Sequence, residues 1–143
     1  MKPVRFNSAT NNRPHGERII DASLLMTDLA KTGLELENEK AWVEGDRNAM
    51  TIFKSDPLTI VLSLLKTGSI IVDKEVDAFL IVQVLDGSVD VNTQEETLNV
   101  NKGQMVVVHN NVIHSIEARM QSSLLLITSQ YPVQKPPREN KVL

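Results

Sequence analysis

Three histidines and no cysteine set the chemical range of this 143-residue chain. Without cysteine there is no disulfide, no thiolate zinc site and no thiol nucleophile. Imidazole and carboxylate remain as metal ligands, and histidine as the proton-transferring group near neutral pH. His109 and His114 flank an Asn110-Asn111 turn. Brought together they would form a two-histidine site; apart, His109 is a surface turn residue. Asp73, Glu75 and Asp77 alternate, so an extended chain puts them on one face, as ligands or as a solvated sheet edge. Gln83 breaks the apolar run Phe79–Leu85 and is either a polar handle in a cavity or a hydrogen-bonding group at an interface. His15 lies in a polar N-terminal stretch and reads as a surface imidazole. There is no phosphate loop, no dinucleotide fingerprint and no paired-histidine helix motif. With one tryptophan, one tyrosine and three phenylalanines, stacking on sugars or bases has little support.

The length suits one domain with a core of its own. A net charge of −3, with lysine and arginine scattered, provides no footprint for nucleic acid or an anionic membrane. A DNA-bound regulator would also need a helix-turn-helix that this length and charge do not supply. No apolar run approaches a membrane span, and Met1-Lys2-Pro3 leads into the polar Asn7–Asn12. The expectation is a cytoplasmic protein with neither nucleic-acid nor membrane partners.

The elements that must position these groups are short. Residues 1–18 read as a polar arm, and residues 1–44 as an extension packing on the domain through the sole tryptophan, Trp42. Asp28 is placed to cap a helical piece through Leu29, Leu34 and Leu36 that Gly33 interrupts. From Gly45-Asp46-Arg47-Asn48 onward, short apolar runs alternate with turns: Ala49–Phe53, Leu58–Leu65, Ser69–Val72, Phe79–Leu85, Val89–Asn92, Thr97–Val100, Met105–His109, His114–Ala118 and Leu124–Thr128. Such spacing predicts an all-β sandwich or barrel over residues 45–130, followed by a tail over 131–143. Asp86-Gly87 predicts a hairpin. Val89, Val91, Leu98 and Val100 alternate with polar residues, the mark of strands with one wet face. Ile60-Val61-Leu62, Leu80-Ile81-Val82, Val106-Val107-Val108 and Leu124–Ile127 are apolar on both faces. The outer faces of those strands need a cover, either the Ile19–Leu36 segment or a second subunit, and a homodimer is expected.

Two glycine-anchored segments carry a family resemblance. Gly68 is followed by five residues, Lys74-x-Val76, three residues, Leu80, six residues and Gly87. Gly103 is followed by five residues, His109-x-Asn111, two residues, His114, three residues and Ala118. In spacing these resemble the two motifs of small single-domain cupins, in which Gly-x5-His-x-His-x3–4-Glu-x6-Gly precedes Gly-x5-Pro-x-Gly-x2-His-x3-Asn. The resemblance covers about Gly68 to Thr128 and implies a double-stranded β-helix, the jelly-roll barrel, often dimeric. In members with intact motifs three histidines and a glutamate hold a divalent metal.

By this resemblance the ligand positions read Lys74, Val76, Leu80 and His114. Valine and leucine have no lone pair to offer, lysine coordinates only when deprotonated, and one imidazole does not hold a divalent ion. No cofactor is therefore predicted, although a metal site rebuilt from Glu75, His109 and His114 stays open and would need a one-residue bulge. His114 is then a ligand-contacting imidazole, a general base, or a buried histidine bonded to a backbone carbonyl. Lys74 is an anion-binding cation inside the barrel or a side chain that snorkels to its rim. The resulting expectation is a metal-free barrel that binds a small molecule through His114, Lys74 and Gln83 against a wall of Val76 and Leu80. A barrel used chiefly for assembly, a metal-independent isomerase or epimerase with His114 as base, and a rebuilt metalloenzyme are the alternatives.

Overall fold

The computed structural model describes residues 4–8, 18–73 and 77–130. The expected tail over 131–143 and His15 lie outside them. Chain order begins with strands β1 (Arg5–Asn7) and β2 (Arg18–Asp21), then helices α1 (Leu29–Glu37) and α2 (Lys40–Glu44). Nine strands follow: β3 (Arg47–Lys54), β4 (Leu58–Leu65), β5 (Ile70–Asp73), β6 (Ala78–Asp86), β7 (Ser88–Thr93), β8 (Thr97–Asn101), β9 (Met105–Val108), β10 (His114–Ala118) and β11 (Ser122–Gln130). They form a five-stranded sheet, β3-β4-β11-β6-β9, facing a four-stranded sheet, β5-β10-β7-β8, with antiparallel pairing throughout. The β1–β2 pair is a separate ribbon, so part of the expected polar arm has regular pairing.

The inner faces meet in one apolar core. Val82, Val84, Val89, Ile116, Ala118 and Leu124 are essentially removed from water, and Leu80, Val91, Val100 and Val108 complete the cluster. These residues alternate along their strands, so their neighbours in sequence face outward. On the four-stranded sheet those neighbours are polar, as the alternation predicts: Asp90 receives hydrogen bonds from Asn99 Nδ2 at 2.9 Å and from Arg119, which also pairs with Glu117 at 2.9 Å. The Asn99 amide first, and Arg119 second, hold the Asp90 carboxyl below the usual carboxylate range. A group with a lowered folded-state pKa stabilises the fold above its unfolded pKa of about 3.9 and loses that contribution as pH falls through the folded value. The stability difference between the wild type and Asp90→Asn is thus expected to be level from pH 7 to about 4 and to shrink below it. Urea midpoints across that range check this, and a difference independent of pH would refute it.

The five-stranded sheet has an apolar outer face as well, and the N-terminal helices cover part of it. Leu36 and Trp42 pack with Leu62 and Leu64, flanked by Met50, Ile52, Leu85 and Leu125. Burial of each large side chain contributes roughly 1.5–3 kcal/mol. Lys66 lies over the Trp42 ring at 5.0 Å. Asp28 caps α1 by accepting from the Lys31 amide at 3.1 Å, as its position predicts. Buried Asn48 on β3 donates to the Leu36 carbonyl at 2.9 Å and so ties the helix end to the sheet. Gly33 does not interrupt α1. A helical glycine costs about 1 kcal/mol, which the cap and the burial of Leu36 offset.

Asp86-Gly87 is not a hairpin. β6 belongs to the five-stranded sheet and β7 to the four-stranded one, so this turn carries the chain across the sandwich. Gly87 takes φ +95°, and Gly68 and Gly103 take +85° and +84°. Asn111, where the second motif has its next glycine, takes +66°. All four positions require the left-handed region, which glycine enters freely and asparagine tolerates.

Candidate functional site

One end of the sandwich is closed by the turns at Gly68, Gly87, Gly103 and residues 119–121. The other is framed by residues 55–57, 94–96 and 109–113, connections at the opposite ends of the same strands. His114 opens β10 at this second end, in register with Asp73 of β5 and Thr93 of β7. Leu80 stands near the start of β6, opposite Val108 of β9 and Thr128 of β11. Both side chains are interior, His114 at 6% exposure and Leu80 at 8%. Val106, Val112 and Leu126 pack against the same cluster while keeping partial exposure. The mouth is thus apolar, with an imidazole set in it.

His114 Nδ1 lies 2.9 Å from the Val112 carbonyl oxygen. A carbonyl only accepts, so Nδ1 is the ring nitrogen that carries the proton and donates. The same bond fixes the ring orientation, as a backbone carbonyl does for a ligand-binding histidine. His109 is on the rim, exposed, with its Nδ1 3.2 Å from the Asn110 carbonyl and its ring edge-on to Phe79 at 4.5 Å. The two imidazoles are therefore each tied to a different loop carbonyl. Beside the mouth a cleft of about 230 Å³ runs between Thr93, Gln94 and Glu95 on one loop and Asn111, Val112 and Ile113 on the next.

The expected residues divide three ways. His114 and Leu80 both lie in the barrel interior. Lys74 and Val76 lie outside the described residues, as does Glu75. Gln83 is not in the barrel, which corrects its reading as an inward handle. It pairs with Leu125 and Met105, whereas its neighbours Val82 and Val84 face the core, so it sits on the outer face of the five-stranded sheet. The error has a plain cause: a strand apolar on both faces offers no alternation from which to read which side a polar residue takes. Asn110, buried at the mouth, is a residue that sequence reasoning treated only as a turn. The chain takes the left-handed conformation at the next residue, Asn111, and no local pattern announced the burial.

Residues 71–124 match the family described as the AraC-like ligand binding domain. A cupin superfamily protein from Desulfitobacterium hafniense superposes with a TM-score of 0.57 at 19% identity, covering 59% of this chain and 78% of its own. The fold is that of a small cupin domain. A conserved protein of unknown function from Streptococcus pyogenes reaches a TM-score of 0.63 at 21% identity over 89% of this chain and 98% of its own. An RmlC-like cupin from Shewanella frigidimarina reaches 0.55 at 17% identity over 62% and 80%. No curated protein matches the chain. These likenesses show the cupin architecture and leave its ligand unnamed. No helix of the described residues is long and apolar enough to cross a membrane.

Proposed function

We propose that this cupin binds a small, largely apolar molecule at the mouth of its barrel without a metal ion, and that it acts as a homodimer. The observation that carries the reading is Leu80. It occupies the carboxylate position of the first motif and is packed into the apolar core. An aliphatic side chain there supplies no lone pair, and among the described residues no three His, Asp or Glu side chains come together. The donor set therefore does not fit the metal that intact cupin motifs hold. His114 supplies the orienting polar contact, an arrangement typical of apolar pockets with few polar groups. The matched family's description as ligand-binding supports the same class.

The test is a thermal-shift screen with small apolar acids, ketones and lactones, run on the wild type and His114→Ala. Wild-type stabilisation of about 2.7 kcal/mol is expected at a ligand concentration a hundred times Kd, and most of it should vanish in the variant. Elemental analysis after incubation with iron, manganese, zinc and nickel supplies the second arm. Near-stoichiometric metal that disappears in His114→Ala would sink the metal-free reading.

The homodimer rests on the uncovered part of the outer face. Ile60, Ile81 and Ile127 lie side by side across β4, β6 and β11 and remain partly exposed, with Met105 and Val107 exposed on β9. A groove of about 290 Å³ lined by Leu25, Phe53, Leu58, Ile60 and Leu125 adjoins them. Leu24 and Met26, at 93% and 96% exposure, project from the segment that borders this groove. The same segment thus offers apolar knobs and lines a hole, the self-complementary arrangement a two-fold interface requires. Gln83, on this face, becomes an interfacial hydrogen-bonding group.

A further inference from the structure

A second site lies away from the barrel, at the β1–β2 ribbon. Asp21 ends β2 and is 7% exposed, and its Oδ1 is sealed from solvent with no hydrogen-bond partner among the described residues. Buried carboxylates are ordinarily held by cations or by several donors, because the charge has lost its hydration. The two arginines of the same ribbon are directed elsewhere. Arg5 donates from Nη1 to the Lys54 carbonyl at 3.3 Å, and its Nη2 is 3.7 Å from Asp56 Oδ1. Arg18 donates from Nε and Nη2 to the Thr51 carbonyl, at 3.3 Å and 2.9 Å. Asp21 instead lines a cleft of about 550 Å³. Val4, Phe6 and Pro57 supply its apolar surface, and Arg5, Ser55 and Asp56 the other polar groups.

We propose that this cleft binds a small organic primary ammonium, with Asp21 as its counter-ion. Two carboxylates against one guanidinium leave the lining negative, which disfavours an anion. A divalent metal asks for six or more oxygen ligands, whereas here one buried carboxylate stands beside apolar side chains. An ammonium on a short alkyl body fits both halves of the lining. The charge meets Asp21 in a charge-assisted hydrogen bond, and the hydrocarbon covers Val4, Pro57 and the exposed Phe6 ring.

The test is calorimetric titration of the full chain, at constant ionic strength, with n-butylammonium chloride, n-butanol and magnesium chloride in turn. Saturable binding of n-butylammonium alone is expected, weakened about ten-fold or more in Asp21→Asn. A thermal melt makes the assignment independent of whether the variant folds well. Without amine, Asp21→Asn should melt at or above the wild-type temperature, because no native partner is lost, and n-butylammonium should raise only the wild type. A lowered melting temperature in amine-free Asp21→Asn would reveal a structural partner and overturn the proposal. Unchanged amine affinity in the variant, or magnesium binding that the variant abolishes, would overturn it as well. So would a fall in sedimented mass in Asp21→Asn, which would assign the cation to a lysine of a second copy.

Discussion

Gly87→Ala is expected to cost about 3 kcal/mol and to lower the melting temperature by about 10 °C, whereas Gly68→Ala and Gly103→Ala cost about 1 kcal/mol each. All three glycines occupy the left-handed region, so each substitution carries a backbone penalty of about 1 kcal/mol. They differ in what a Cβ would meet. At Gly68 and Gly103 it would find nothing within 4 Å. At Gly87 it would lie 2.5 Å from the Gln121 carbonyl oxygen and 2.7 Å from Ser122 Cα, both backbone atoms that cannot swing aside. This crowding follows from the crossover itself. The chain leaves one sheet and joins the other against the turn before β11, where the Ser88 amide donates to Ser122 Oγ at 3.0 Å and Ser122 Oγ donates to the Met120 carbonyl at 2.8 Å. Equilibrium urea unfolding of the three variants is the comparison to make. Equal losses at all three positions would mean that the crossover relaxes and that only the sign of φ matters.

Ile127→Asp is expected to convert a dimer into a folded monomer, with the association weakened at least a hundred-fold, about 2.7 kcal/mol. Ile127 is at the centre of the uncovered part of the sheet, between Ile60 and Ile81. A carboxylate there would be desolvated without a partner in the assembled pair, yet would reach water in the single chain. The double variant Leu24→Ser/Met26→Ser provides the control. Both side chains are almost wholly exposed in the single chain, so their removal cannot harm its core, while a two-fold interface would lose its knobs. Sedimentation velocity of the wild type and both variants, with circular dichroism to confirm folding, decides the matter. A monomeric wild type at tens of micromolar would end the proposal, and the half-exposed isoleucines would then require another partner.

The strands were legible because turn chemistry separates them cleanly. Leu58–Leu65 and His114–Ala118 run as read, and the other seven expected strands differ only at their ends. What local pattern did not supply was the partner of each strand. Asp86-Gly87 has hairpin chemistry, yet glycine in the left-handed region serves a sheet-to-sheet crossover equally well, and the choice depends on which distant strand, β9 and β11 or β8 and β10, completes each sheet. The β1–β2 ribbon was missed for a related reason: Arg5–Asn7 is three residues long, and its pairing contacts lie more than ten residues away in sequence.

For the candidate site the division is similar. The resemblance to the cupin motifs implied that Leu80 and His114 would face the barrel interior, and both side chains are buried there. It also determined that an aliphatic side chain stands where a carboxylate would bind metal, since that is a matter of residue identity alone. Only the tertiary structure decided that Gln83 faces outward, that Asn110 is buried at the mouth, that α1 and α2 cover part of the outer sheet, and that Asp21 is enclosed without a partner among the described residues. Each of these depends on which surface is left uncovered after distant strands have packed, a property of the assembled sandwich that no local stretch of sequence contains.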